Sequence, residues 1–219
     1  MLISHNKKFI FTKTIKTAST STEAYFERYC MPAGEWQPQH LRDEHVSSSG
    51  IIGYRGLDPS AAQWRNHMPA KEIKERIGDS IWSEYFKFTT IRNPYDKLVS
   101  HYYALRRHGQ VPYIDDHISG FRKWLESSNL LYDADKYKID GYVSIDFFIR
   151  FENLIEDIAH VCNNLSIEFS EEDLPRLKAD RRPQIYHLRE FFDDEAQARV
   201  SERYAWEISN FGYRLSRYP

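Results

Sequence analysis

Residues Phe86–Tyr103 read FKFTTIRNPYDKLVSHYY. The apolar run from Tyr85 to Ile91 (YFKFTTI) predicts a buried strand, because β-branched and aromatic side chains suit a pleated, enclosed surface. Pro94 then opens a helix to about Arg107: proline suits the first helical position and biases Asn93 away from helix. Leu98, Val99, Tyr102 and Leu105 recur at helical spacing and mark the inward side. Arg92 sits at the strand's carboxyl edge, where its guanidinium could grip an anion with two N–H groups. Ser100, about two turns into the helix, could face the same anion.

Working outward, a second unit of the same kind occupies Phe9–Ser21, FIFTKTIKTASTS. Lys8–Thr12 predicts a buried strand, and STSTEAYFERYC from Ser19 predicts a helix, with Thr20 and Glu23 at capping-box spacing. In a parallel sheet, ligands settle beyond the carboxyl ends of the strands. A helix start there offers open N–H groups and roughly half a positive charge. Lys16 falls in the loop and Thr17, Ala18, Ser19, Thr20 and Ser21 at the helix start, so the segment suits a phosphate. It lacks the G-x-x-x-x-G-K-[ST] pattern that wraps a polyphosphate, and fits one phosphate group better. A lysine- and threonine-rich helix cap is the plainer alternative.

Further strands are expected at Gly50–Arg55 and Asp146–Phe151, and helices at Pro69–Ile77, Gly120–Ser127, Glu152–Leu165 and Asp193–Asn210. Met31–Ser49 and Val111–Ser119 read as loops. Strands alternating with helices predict an α/β fold with a mostly parallel central sheet flanked by helices, in three P-loop-like layers. The 219 residues form one domain, 1–219.

Composition narrows the function classes. A net charge of −2 gives no basic footprint for nucleic acid. Two cysteines supply no disulfide framework and fit a reducing compartment. No apolar run approaches a membrane-spanning length or a signal peptide, so a cytoplasmic protein is expected. HLRDEH (His40–His45) does not match a metal-binding helical face and reads as a solvated loop; no metal is expected. Oligomeric state is not legible.

The pair KTASTS and FTTIRNPYDKLVSHYY resembles the cofactor-binding signatures of sulfotransferases that use 3′-phosphoadenosine-5′-phosphosulfate (PAPS). It is nearest to the carbohydrate, heparan 2-O-sulfotransferase-like branch, as a bacterial-type single-domain member. That branch reads like F-x-H-I-P-K-T-A-G-T-S and F-x-x-V-R-N-P-Y-D-R-L-V-S-x-Y. RFENLIEDIAHVCNNL and RRPQIYHLREFFDDEAQARVSERYAWEISNFGYRL extend the likeness over most of the chain, Met31–Ser49 excepted. Ile15 stands where the family has proline, and Ser19 where it has glycine.

The resemblance implies that Lys16 and Thr17–Ser21 bind the 5′-phosphosulfate, that Arg92 and Ser100 bind the 3′-phosphate, and that adenosine 3′,5′-bisphosphate (PAP) is the product. A basic loop with Lys178, Arg181 and Arg182 closes over the nucleotide in related enzymes, and Arg181 is assigned to it. Trp36, Trp64 and Tyr186 are the aromatics considered for stacking on adenine. Lys16 is expected to stabilise the leaving 5′-phosphate. His67, in RNHMPAKEI, is expected to be the general base: histidine has a suitable pKa, and the branch carries a base histidine in a similar position. Glu44 and His45 are held in reserve. The expected activity is sulfuryl transfer to a hydroxyl or amine of a glycan, glycolipid or small metabolite. A P-loop-type small-molecule kinase and a non-catalytic nucleotide-binding module are the competing readings.

Overall fold

The computed structural model describes residues 1–58, 60–175, 177 and 187–215. In chain order, β1 (Leu2–Ser4) and β2 (Phe9–Thr12) precede α1 (Ser19–Phe26), which continues into a 3₁₀ turn at Glu27–Cys30. Next come β3 (His45–Ser47), β4 (Gly50–Ile52), α2 (Ala70–Glu84), β5 (Phe86–Ile91), α3 (Pro94–Arg107) and α4 (His117–Ser127). The hairpin β6 (Lys138–Ile139) and β7 (Tyr142–Val143) leads to β8 (Phe147–Arg150) and α5 (Leu154–Asn164). The described chain ends with α6 (Asp194–Arg203) and α7 (Ala205–Phe211).

These elements sort into two compact units, Met1–Ile91 with Asp133–Leu177, and Arg92–Tyr132 with Lys178–Pro219. The first holds a six-stranded sheet in the order β3-β4-β1-β2-β5-β8. β2, β5 and β8 run parallel, with Thr12 opposite Thr89 and Phe88 opposite Phe147. β1, β3 and β4 extend the sheet antiparallel. The parallel pattern therefore belongs to the strands that precede the candidate loops.

Period-two alternation along Phe9-Ile10-Phe11 explains why the sheet is covered on both faces. Phe9 and Phe11 join Phe26 of α1, Phe88 of β5 and Ile158 and Val161 of α5 in one core. The Phe26 and Phe88 rings meet edge to face at 5.0 Å. Ile10 points the other way, into a core with Ile3, Trp64, Ile73 and Trp82. The result is an α/β fold with a central sheet flanked by helices.

The second unit has its own core. Tyr95, Leu98, Val99 and Tyr102 of α3 pack with Phe121 and Leu125 of α4 and with Val200 and Tyr204. Gly120 is required there, because a Cβ at that position would lie 2.3 Å from the Tyr102 hydroxyl.

Several local expectations change. The capping box at Thr20 and Glu23 does not form: Ala18 is the N-cap, in the left-handed region, and Glu23 faces a buried ion cluster instead. The α2 helix runs past Ile77 to Glu84 through a kink at Gly78, whose φ is 83°. The expected helix Asp193–Asn210 is two helices, broken at Tyr204 (φ −112°, ψ 27°), whose side chain is buried in the core. Nor is His40–His45 a solvated loop throughout, since Arg42 is buried against Glu27 and His45 begins β3.

Candidate active site

The loop between β2 and α1 is fixed from below by hydroxyls. Thr14 Oγ1 donates to the Thr90 carbonyl at 2.5 Å and lies 2.8 Å from Thr17 Oγ1, which lies 2.7 Å from Thr90 Oγ1. All three threonines are buried. Asp133 Oδ2 accepts the Ile15 N–H at 2.7 Å, and the Ser19 hydroxyl donates to the Thr14 carbonyl at 2.6 Å. Ser21 Oγ accepts the Leu177 N–H. The hydroxyls of Thr17, Ser19 and Ser21 thus help to shape the loop.

The main chain is suited to anion binding. φ is 63° at Lys16 and 61° at Ala18, but not positive at Thr17 between them. Alternating handedness of this kind turns successive N–H groups toward one concavity, where an anion is held. Among the described residues, no acceptor meets the N–H groups of Thr17, Ala18, Ser19 and Thr20. The α1 macrodipole reinforces the preference for negative charge. Lys16, partly exposed, stands at the head of the concavity. These groups fit a phosphate or phosphosulfate.

Below the loop lies a buried ion cluster. Lys13 Nζ meets Glu23 Oε2 at 2.5 Å, the Met1 α-amine meets Glu23 Oε1 at 2.8 Å, and Arg55 bridges Glu23 and Glu27. Burial alone would raise the Glu23 carboxyl, but Lys13, the α-amine and Arg55 outweigh it and hold the group well below the usual carboxylate range. Lys13 is itself lowered, chiefly by burial. An intact pair this deep is dearly desolvated, and removing one partner would strand the other charge.

His67 leans on the same segment. Its Nδ1 lies 3.0 Å from the Lys13 carbonyl, and its backbone sits at φ 56°. Burial, then the charge of Lys13, lowers the imidazole to about 4, so it is neutral at physiological pH. Of the reserve bases, Glu44 accepts the N–H groups of Gln63 and Trp64 and serves the backbone, and His45 sits in β3.

In the second unit, Asn93 caps α3: its Oδ1 accepts the Tyr95 N–H, and its Nδ2 donates to the Arg214 carbonyl at 2.7 Å. Asp96 Oδ2 takes Arg92 through Nε at 2.9 Å and Nη2 at 2.6 Å, orienting the guanidinium. Ser100, partly buried, lies one turn beyond Asp96.

Trp64 belongs to a hydrophobic core, whereas Trp36 carries the Arg28 guanidinium 4.7 Å above its ring. Beside Trp36 opens a cleft of about 280 Å³ whose walls include Ala24, Pro38, Pro175 and Leu177. Lys178, Arg181, Arg182 and Tyr186 lie outside the described residues. Sequence reasoning missed Lys13, Thr14, Glu23, Thr90 and Asp133. The available signal was charge inside apolar surroundings, Lys13 at a strand end and Glu23 in an inward-facing helix.

A protein of Archaeoglobus fulgidus, itself described only as uncharacterized, is 34% identical over 107 residues, covering 46% of this chain and 83% of that one. The crystal structure of mouse sulfotransferase SULT7A1 complexed with PAP shares the fold: TM-score 0.53 at 11% identity, over 95% of this chain and 87% of the other. The model of the Sulfotransferase family matches residues 1–214. The chain belongs to the sulfotransferase family.

Proposed function

We propose that the protein transfers a sulfuryl group from PAPS to a hydroxyl, or an amine, of a glycan, glycolipid or small metabolite, with His67 as general base. The observation that carries this reading is the left-handed turn at Lys16 and Ala18, where four N–H groups meet no acceptor among the described residues, in a segment whose Lys13 carbonyl engages a neutral imidazole.

The donor supplies an activated sulfonate and leaves as PAP. Lys16 and the N–H groups of Thr17–Thr20 bind the 5′-phosphate end and offset the negative charge that develops there. Arg92, oriented by Asp96, and Ser100 are assigned to the 3′-phosphate by resemblance, and Arg181 to the loop that closes over the nucleotide. His67 accepts the acceptor's proton at Nε2, since Nδ1 is engaged with the Lys13 carbonyl. Because the imidazole titrates near 4, base function persists well below pH 6.5 and fails only as pH falls toward 4. Cys30 and Cys162 are buried free thiols, in keeping with a reducing, cytoplasmic setting. Among the described residues no helix is long and apolar enough to cross a membrane.

Calorimetry and turnover together test the reading. PAP should bind without magnesium, and His67→Ala should abolish turnover of labelled PAPS while leaving PAP affinity nearly intact. Equal loss of both rejects His67 as base. Binding of ATP only with magnesium would favour a kinase, and PAP binding without turnover on an acceptor panel a binding module.

A further inference from the structure

The hydrogen bond between His67 and Lys13 has a direction that carries chemistry. A carbonyl only accepts, so the ring nitrogen 3.0 Å from the Lys13 oxygen holds the proton. A neutral imidazole protonated at Nδ1 has its lone pair on Nε2. The tautomer of His67 is therefore set by the main chain of Lys13.

That main chain is anchored on both sides. The Lys13 side chain, 2% exposed, is locked on Glu23, which the Met1 α-amine and Arg55 hold in turn. The next residue, Thr14, is pinned to the Thr90 carbonyl. His67 meets this fixed oxygen with its backbone in the left-handed region, at φ 56°, a conformation uncommon outside glycine.

We propose that Lys13 is a positioning residue for His67: its buried ion pair with Glu23 fixes the carbonyl that selects the Nδ1–H tautomer and so presents Nε2 as the proton acceptor. This rests on the reading of His67 as base, but its first readout does not. A second role follows from charge. Besides burial, four groups act on the imidazole: the Lys13 ammonium and the Met1 α-amine disfavour its protonation, while the Lys13 carbonyl and Glu23 favour it. The Lys13 ammonium is the strongest of them. The ammonium therefore adds to burial in keeping unprotonated the base that the Lys13 carbonyl orients.

Long-range ¹H–¹⁵N spectra of the imidazoles, with His67→Gln for assignment, test the proposal on the whole chain. In the wild type, His67 should be the Nδ1–H tautomer at pH 7; an Nε2–H tautomer overturns the proposal even if no variant folds. In Lys13→Met, His67 should populate both tautomers and titrate about one pH unit higher, the effect of losing a nearby like charge. Lys13→Arg, which keeps the cation, should stay near the wild type. A tautomer and midpoint unchanged in a folded Lys13→Met also overturn it. The acid limb of the turnover profile separates the two readings. If the limb follows the His67 midpoint, both stand. If the midpoint moves and the limb does not, the positioning of His67 holds and its role as base is lost.

Discussion

The turn after β2 and the turn after β5 follow neighbouring parallel strands, yet they end them in opposite ways. The first carries no side-chain cap; around the left-handed residues Lys16 and Ala18, the N–H groups of Thr17–Thr20 meet no acceptor among the described residues. The second is closed by its own residues, with Asn93 Oδ1 on the Tyr95 N–H, Pro94 at the helix start and Arg92 on Asp96. One strand-turn-helix design thus serves two purposes. On the proposed reading, the uncapped helix would offer main chain to a ligand, while the capped helix satisfies itself and would offer a side chain.

The comparison breaks most decisively at Lys16. Lys16→Ala should lower turnover by about 100-fold or more, the usual loss when a donor to developing charge is removed. The melting temperature should hardly move, and a change in turnover below about threefold would mean the first turn is not the cradle. Next comes Arg92→Lys, which keeps the charge but loses the planar fork. It should weaken PAP binding in calorimetry by about tenfold, a single lost charge-assisted hydrogen bond. Undiminished affinity would sink the role of the second turn.

Smaller effects sharpen the contrast in capping. Asn93→Ala should cost about 1 kcal/mol in urea unfolding, whereas Thr20→Ala, with no cap to lose, should stay within about 0.5 kcal/mol. Smallest is the response to glycine. Ala18→Gly should gain about 0.5–1 kcal/mol by relieving a left-handed alanine. Ser19→Gly should lose about 1 kcal/mol, because Ser19 is helical and its hydroxyl bonds the Thr14 carbonyl.

Much of this architecture was readable from local pattern. The strands β2 and β5 announced themselves as enclosed apolar runs, and α3 matched its proline start because that signal lies within one turn of its effect. Three-residue strands such as β1 and β3 are too short to show a period. Glu23 was misread because its spacing from Thr20 suits a cap, whereas the unmet charges of Lys13, Arg55 and the α-amine claim it in space. The family pattern places glycine at Ser19, yet the left-handed residue is Ala18. Pairings at long separation, such as His67 on Lys13, leave no local trace.

The Asp133 carboxylate that receives the Ile15 N–H comes from 118 residues further along the chain. During vectorial synthesis, β2 and the loop residues emerge early, but this brace emerges only when more than half of the polypeptide has left the ribosome. A nascent chain arrested before residue 133 therefore holds the lysine and threonines of the loop without the clamp that braces them, and the proposed competence to capture the nucleotide would arrive late in translation.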